Sequence, residues 1–251
     1  MNYLPGKFVW FEHVSGDLAK ARAFYQELCG WSVQPMPMGE QTYYRIMNGD
    51  QGIGGFRNAQ PGMPSHWSSY LSVADVDQSF VAAKAAGATA LMPPTDFGPV
   101  GRGCAVADPS GAALCLWKGA QGDPADADKT PVGGWFWNEL FSKDVKSAVA
   151  FYEKAFGFTH DEMDMGPQGT YTILKDSGGK MRAGAMQQPA GLDVPSHWLP
   201  YIQVADCDAS AALATRLGAT LMCPPTDIPQ VGRFSGLIDP TGAAIAIIRG
   251  A

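Results

Sequence analysis

Pro64-Ser65-His66-Trp67, followed by Tyr70, returns later in the chain as Pro195-Ser196-His197-Trp198, followed by Tyr201. Further along, Pro93-Pro94-Thr95-Asp96 with Val100-Gly101-Arg102 returns as Pro224-Pro225-Thr226-Asp227 with Val231-Gly232-Arg233. Each of these pairs is separated by 131 residues. A fixed period this long marks two copies of a whole domain, not a solenoid. A chain of 251 residues has room for two domains of ordinary size. The repeat also supplies an internal comparison: residue types present in both copies separate from those that drifted.

Composition narrows the function. Hydrophobic residues make up 46% and charged residues 17%, which suits packed domains and not a disordered chain. A net charge of −6, with no run of Lys and Arg, argues against a nucleic-acid partner. None of the five cysteines meets a cysteine in the other copy: Cys29 faces Phe156, Cys104 faces Ser235, Cys115 faces Ala246, Cys207 faces Val76 and Cys223 faces Met92. A disulfide framework would have been duplicated with the domain, so reduced thiols and a cytoplasmic location are expected. The first residues carry no apolar signal region and no stretch has membrane-spanning length, so no membrane partner is expected.

Gly119 to Pro131 is small, polar and broken by prolines, and reads as a linker. The expected organisation is a first domain over 1–118, a linker over 119–133 and a second domain over 134–251. Within the first copy, Phe8–Val14 reads as a strand. Asp17 is placed as an N-cap, Leu18–Cys29 as a helix and Gly30 as its stop. Strands follow near 31–36, 42–47 and 51–57. A second unit opens with a strand over 67–73 and a helix over 76–86, closed by Gly87. Its strands lie near 89–92, 102–107 and 112–117, with Asp108-Pro109-Ser110-Gly111 as a turn between the last two. Each half is therefore strand-helix-strand-strand-strand twice over, and the chain is an α+β protein of four βαβββ units.

These residues carry a resemblance. Asp17-Leu18 with Phe24-Tyr25 and Gly30-Trp31, then Val73-Ala74-Asp75 through Gly87, then Asp108-Pro109-Ser110-Gly111, resemble the vicinal oxygen chelate superfamily. That group includes glyoxalase I, extradiol dioxygenases, fosfomycin-resistance enzymes and bleomycin-resistance proteins. The second copy repeats the pattern as Asp144-Val145, Phe151-Tyr152, Gly157-Phe158, Val204-Ala205-Asp206 through Gly218, and Asp239-Pro240-Thr241-Gly242. Within the superfamily the chain is similar to a tandem-domain subgroup that includes a mycobacterial antigen. The resemblance implies two tandem glyoxalase-like domains with cupped mixed sheets. One fold of this kind hosts lyases, dioxygenases, transferases and sequestering proteins, so it does not by itself give the reaction.

The resemblance also implies where metal ligands would stand, on inward-facing strand positions. These fall on Trp10 and Trp137, near Gly55 and Ala185, on Ser69 and Pro200, and on Cys115 and Ala246. Indole, Gly, Pro and Ala offer no donor to a divalent ion, and one Cys is not a site. No cofactor is therefore expected, and a divalent metal is disfavoured.

Other residues remain as site candidates. Glu12 shares strand parity with Trp10, and Glu139 with Trp137. An acid in an apolar cup is a candidate general base or ligand anchor; the alternative is a structural acid bonded to a neighbouring strand or to an Arg. His66 and His197 either shape the entry to a strand with the imidazole bonded to backbone, or reach a ligand or a metal. Arg102 and Arg233 either hold an anionic group or pair with Glu12 or Asp96 and their counterparts. Asp96 and Asp227 read as loop-building. Tyr44 and Tyr171 cover a ligand or pack the core. No phosphate loop, nucleophile elbow or Cys-x-x-Cys pair occurs.

Two functions follow as expectations. The first is a monomeric or homodimeric protein that binds a small aromatic or anionic molecule in an apolar cup. The second is a lyase, isomerase or dioxygenase of the same superfamily, using Glu12 and Glu139 or a relocated metal.

Overall fold

The computed structural model describes residues 1–39, 41–166, 169–189, 191 and 194–251. The first copy runs β1 (Phe8–Ser15), α1 (Leu18–Cys29), β2 (Ser32–Met38), β3 (Gln41–Asn48) and β4 (Gln51–Asn58), then β5 (His66–Ser72), α2 (Val76–Ala85), β6 (Thr89–Asp96), β7 (Gly101–Ala107) and β8 (Ala113–Gly119). The second copy runs β9 (Trp135–Ser142), α3 (Val145–Phe156), β10 (Thr159–Asp164), β11 (Thr170–Lys175) and β12 (Met181–Gln187), then β13 (His197–Gln203), α4 (Cys207–Arg216), β14 (Thr220–Ile228), β15 (Gly232–Ile238) and β16 (Ala244–Gly250). The strands form two eight-stranded mixed sheets, ordered β2-β3-β4-β1-β5-β8-β7-β6 and β10-β11-β12-β9-β13-β16-β15-β14. This is the α+β architecture of four βαβββ repeats that the sequence pattern implies. No helix among the described residues is long and apolar enough to cross a membrane, and all five cysteines are free.

Local chemistry sets the element ends. The carboxylates of Asp17, Asp75, Asp144 and Asp206 accept from the backbone N–H groups of Lys20, Gln78, Ser147 and Ala209, which caps all four helices. Gly30 and Gly157 close α1 and α3 at φ 69° and 71°, a left-handed conformation that suits glycine. Strand β6 runs on through Pro93-Pro94-Thr95-Asp96, past the end near residue 92 that the sequence suggests. The pairing of β6 with β7 shifts register between Met92 and Thr95, so the prolines fall where the ladder is interrupted on an edge strand. Asp96 then accepts from the Gly98 N–H at 2.7 Å.

The chain packs as two compact units, and each draws on both copies. One comprises 1–9, 69–126 and 137–198. Its core holds Leu71, Val106, Leu114, Leu116, Leu140 and Leu174, with Phe151 and Tyr152 from α3. Asp108 Oδ1 ties the turn by accepting from the N–H groups of Ser110 and Ala112. Its Oδ2 accepts from Tyr152 Oη at 3.0 Å, and Tyr152 Oη accepts from Trp198 Nε1 at 3.0 Å. The first part of the expected linker is pinned in this unit. Asp123 accepts from the Leu4 N–H, and Asp126 forms ion pairs with Lys7, Lys180 and Arg182. Burial opposes ionisation of Asp126, yet the hydrogen bonds from Arg182, Lys180 and Lys7 hold its carboxyl far below the usual carboxylate range.

The other unit comprises 10–68, 127–136 and 199–251. Its core is aromatic on one side, where Tyr25 stacks on Trp31 at 5.6 Å and Trp135 lies 5.2 Å from Trp67. Trp31 donates to the Gly133 carbonyl and Trp135 to the Ile53 carbonyl. Here Asp239 Oδ2 accepts from Tyr25 Oη at 2.9 Å and meets His13 Nε2 at 2.8 Å, and Trp67 Nε1 donates to Tyr25 Oη at 2.9 Å. Burial opposes the charge on Asp239, but the bond and charge of His13 keep its carboxyl below the usual range.

Candidate functional site

The site in the first copy starts from the pleat of β1, which puts Trp10 and Glu12 on one face. Glu12 lies opposite Gly55 on β4. A Cβ at Gly55 would sit 1.9 Å from the Tyr43 hydroxyl, so the glycine leaves the space that this phenol fills. Trp10 Nε1 donates to Tyr43 Oη at 2.9 Å. The Tyr43 hydroxyl is hydrogen-bonded to Glu12, and Arg57 forms an ion pair with the same carboxylate. Glu12 is 5% exposed. Burial pushes the Tyr43 phenol well up, and the Glu12 charge adds to it, so the phenol stays protonated and can donate.

The second copy builds the same chain. Trp137 Nε1 donates to Tyr171 Oη at 2.9 Å. Gly184 lies opposite Glu139, and a Cβ there would sit 1.9 Å from the Tyr171 hydroxyl. Tyr171 is hydrogen-bonded to Glu139, and burial together with that charge pushes the phenol upward. Glu139 is buried like Glu12. Each carboxylate is thus held by a phenol that is itself held by an indole edge, which leaves the indole plane fixed.

The structure places the other candidates elsewhere. Tyr44 is not the counterpart of Tyr171; Tyr43 is. Tyr44 turns to the opposite face, where the Arg22 guanidinium lies 3.9 Å over its ring. Gly184, not Ala185, matches Gly55; Ala185 lies opposite Leu140 and is buried. Arg102 bonds both carboxylate oxygens of Asp77, each at 2.8 Å, at the start of α2. Arg233 does the same to Asp208 on α4 and adds Asp227 at 3.0 Å. His66 Nδ1 lies 2.9 Å from the Pro64 carbonyl oxygen, and burial lowers the imidazole pKa. His197 repeats the contact with Pro195 and stacks on Phe141 at 5.6 Å.

Two residues on the first-copy face escape the sequence reading. Arg57 follows Gly55 by two positions and so shares its face. Arg45 lies opposite Gly55 on β3, with its guanidinium 6.0 Å from the Trp10 ring centroid. Strand parity from Trp10 and Glu12, carried across the β3–β4 hairpin, is the signal that finds both.

Comparison with known proteins places the fold in a family. The model of the Glyoxalase/Bleomycin resistance protein/Dioxygenase superfamily matches residues 136–247, and a bleomycin resistance protein-like N-terminal model matches residues 7–44. The putative glyoxylase CFP32 of Mycobacterium tuberculosis is 34% identical over 98% of this chain and 96% of its own length. The chain belongs to the Glyoxalase/Bleomycin resistance protein/Dioxygenase superfamily. The anthracycline biosynthesis protein DauV of Streptomyces sp. strain C5 is 29% identical, covering 98% of this chain and 94% of its own. Among solved structures, the Mn(II)-bound glyoxalase from Novosphingobium aromaticivorans shares the fold at a TM-score of 0.67. It has 16% identity and covers 98% of this chain and 82% of that one.

Superfamily membership raises the question of a metal. At the positions implied by the resemblance, Trp10 and Trp137 commit their indole N–H to a tyrosine, and an indole nitrogen has no lone pair to give. Gly55, Ala185 with its neighbour Gly184, Pro200 and Ala246 offer no side-chain donor either, and Ser69 and Cys115 alone are too few for a divalent ion. Among the described residues no three or more His, Cys, Asp or Glu side chains come together as a metal-holding group. These residues do not fit the superfamily's divalent ion.

Proposed function

We propose that this superfamily member binds a small aromatic molecule, stacking it against Trp10 in the first copy and Trp137 in the second, with the metal-ligand positions given over to that purpose. The observation that carries the reading is the Trp–Tyr–Glu chain present in both copies. Pinning the indole edge to a phenol fixes the ring plane before a ligand arrives, so less ordering is lost on binding. A stacked aromatic ligand gains about 1 kcal/mol beyond its buried area. Engagement of each carboxylate by a phenol favours an anchoring role over that of a general base. The name of one relative places it in anthracycline biosynthesis, which concerns polycyclic aromatic molecules and agrees with this ligand class.

The test is calorimetric titration of the chain with uncharged 1-naphthalenemethanol, alongside elemental analysis of the purified protein. Binding weakened by Trp10→Ala, by Trp137→Ala or by both, with metal well below one equivalent, supports the reading. Stoichiometric zinc, nickel, iron or manganese that disappears on His66→Ala or His197→Ala would overturn it in favour of a metalloenzyme. Isomerisation of the methylglyoxal–glutathione adduct is not expected, because that reaction relies on a metal to stabilise charge on the enediolate oxygens.

A further inference from the structure

Resting on that reading, we infer that the two strand faces take different ligands: an aromatic anion is held at Arg45 on the first-copy face, and an uncharged aromatic on the second. Strand register sets the comparison. Arg45 lies opposite Gly55, whereas Ile173 lies opposite Gly184. Arg57 lies opposite Val14, whereas Met186 lies opposite Phe141. Both arginines of the first-copy face are therefore apolar in the second, while the Trp, Tyr, Glu and Gly of the face are the same in both.

The two arginines are not equivalent. Arg57 pairs with Glu12, and the two charges offset each other. Arg45 makes no ion pair among the described residues; its contact is with the Trp10 ring. Its guanidinium is laid down by Gly52, where a Cβ would come 2.1 Å from Nε and push it away. A guanidinium held beside an indole presents its N–H fork to a ligand stacked on that indole, and the fork matches a carboxylate or sulfonate. With Glu12 neutralised by Arg57, the Arg45 charge is left for the ligand. Ile173 and Met186 offer apolar contact at the same places and no such fork.

The experiment is titration of the whole chain with 1-naphthoate and, in parallel, with 1-naphthalenemethanol, which has the same rings and no charge. Naphthoate affinity should fall about tenfold or more on Arg45→Ile, the loss expected for a charge-assisted pair, and should weaken in raised sodium chloride. Naphthalenemethanol affinity should not change. Arg45→Lys, which keeps the charge without the fork, should lie between, and Arg45→Gln replaces Arg45→Ile if circular dichroism shows that variant unfolded. Equal loss of both ligands, or undiminished naphthoate binding, overturns the inference. So does naphthalenemethanol binding without naphthoate binding, which leaves the aromatic reading standing. Binding of neither probe overturns that reading and this inference together.

Discussion

In one unit, Asp239 accepts from Tyr25, Tyr25 accepts from Trp67, and His13 meets the same carboxylate oxygen. In the other, Asp108, Tyr152 and Trp198 repeat the arrangement, and Leu140 stands where His13 would be. Both His13 and Leu140 are 0% exposed. The aspartate holds its Asp-Pro turn in both units and takes the tyrosine in both. The histidine is an addition in one of them, and its Nδ1 is buried without a hydrogen-bond partner among the described residues. The difference separates what the fold requires, an acceptor tying turn to helix, from what it tolerates beside that acceptor. The same division runs through the strand faces, where the Trp–Tyr–Glu chain is common and the arginines are not.

The largest effect expected is from Asp239→Ala, which strips the turn of its acceptor and leaves His13 and Tyr25 without theirs. A loss of about 3–5 kcal/mol is expected in urea unfolding. Asp108→Ala strips its turn in the same way but strands Tyr152 without a histidine beside it, and should cost about 1–2 kcal/mol less; equal losses would break the comparison.

Next is Asp126→Asn, expected to cost about 2 kcal/mol at neutral pH through three weakened charge-assisted bonds. The folded pKa of Asp126 is depressed, so its contribution is full above the ordinary value of 3.8 and is lost as pH falls through the lower folded value. The variant should therefore show a shallower loss of stability in acid. An unchanged slope would show that the cluster around Arg182 carries no such linkage.

Tyr43→Phe and Tyr171→Phe should each cost about 1 kcal/mol, since each removes an acceptor from an indole and a donor from a glutamate. If the two copies share one scaffold, the two losses should match. A loss confined to one copy would show that only that copy depends on the chain of bonds.

The smallest effect is His13→Leu, which gives one unit the residue of the other. Asp239 keeps Tyr25, Thr241 and the Ala243 N–H. The variant loses a buried bond to Asp239, but it also removes the buried Nδ1 of His13, which has no partner among the described residues, and places a leucine where the other unit buries Leu140. The opposing contributions offset, and a change within about 1 kcal/mol of wild type in either direction is expected. A loss beyond about 3 kcal/mol would make His13 a structural requirement of its unit.

The sequence makes the helices legible because their ends are local. Asp17 and Gly30, with their equivalents, cap and stop α1 and α3 through bonds within a few residues. Strand content is equally open, and Pro-Pro-Thr-Asp misleads because the register shift that accommodates the prolines depends on the neighbouring strand. The face bearing Trp10 and Glu12 is readable by parity. Tyr43 is missed because the repeat spacing drifts along the chain, and a slip of one residue turns a strand side chain to the other face. The bond between His13 and Asp239 is invisible at sequence level, since nothing in local pattern says that an early strand of one copy will meet a late turn of the other.

That each compact unit draws on both copies has a consequence for the duplicated gene. A polypeptide ending near the Gly119–Pro131 segment would carry Tyr25 without Asp239, and Asp108 without Tyr152. Such a fragment could complete its bonds only on another molecule, at whatever concentration the cell supplied. Covalent continuity replaces that encounter with a tethered one, at an effective concentration in the millimolar range for short flexible links. Residues 119–133 are thus less a spacer between finished parts than the reason two unfinished ones need not search for each other.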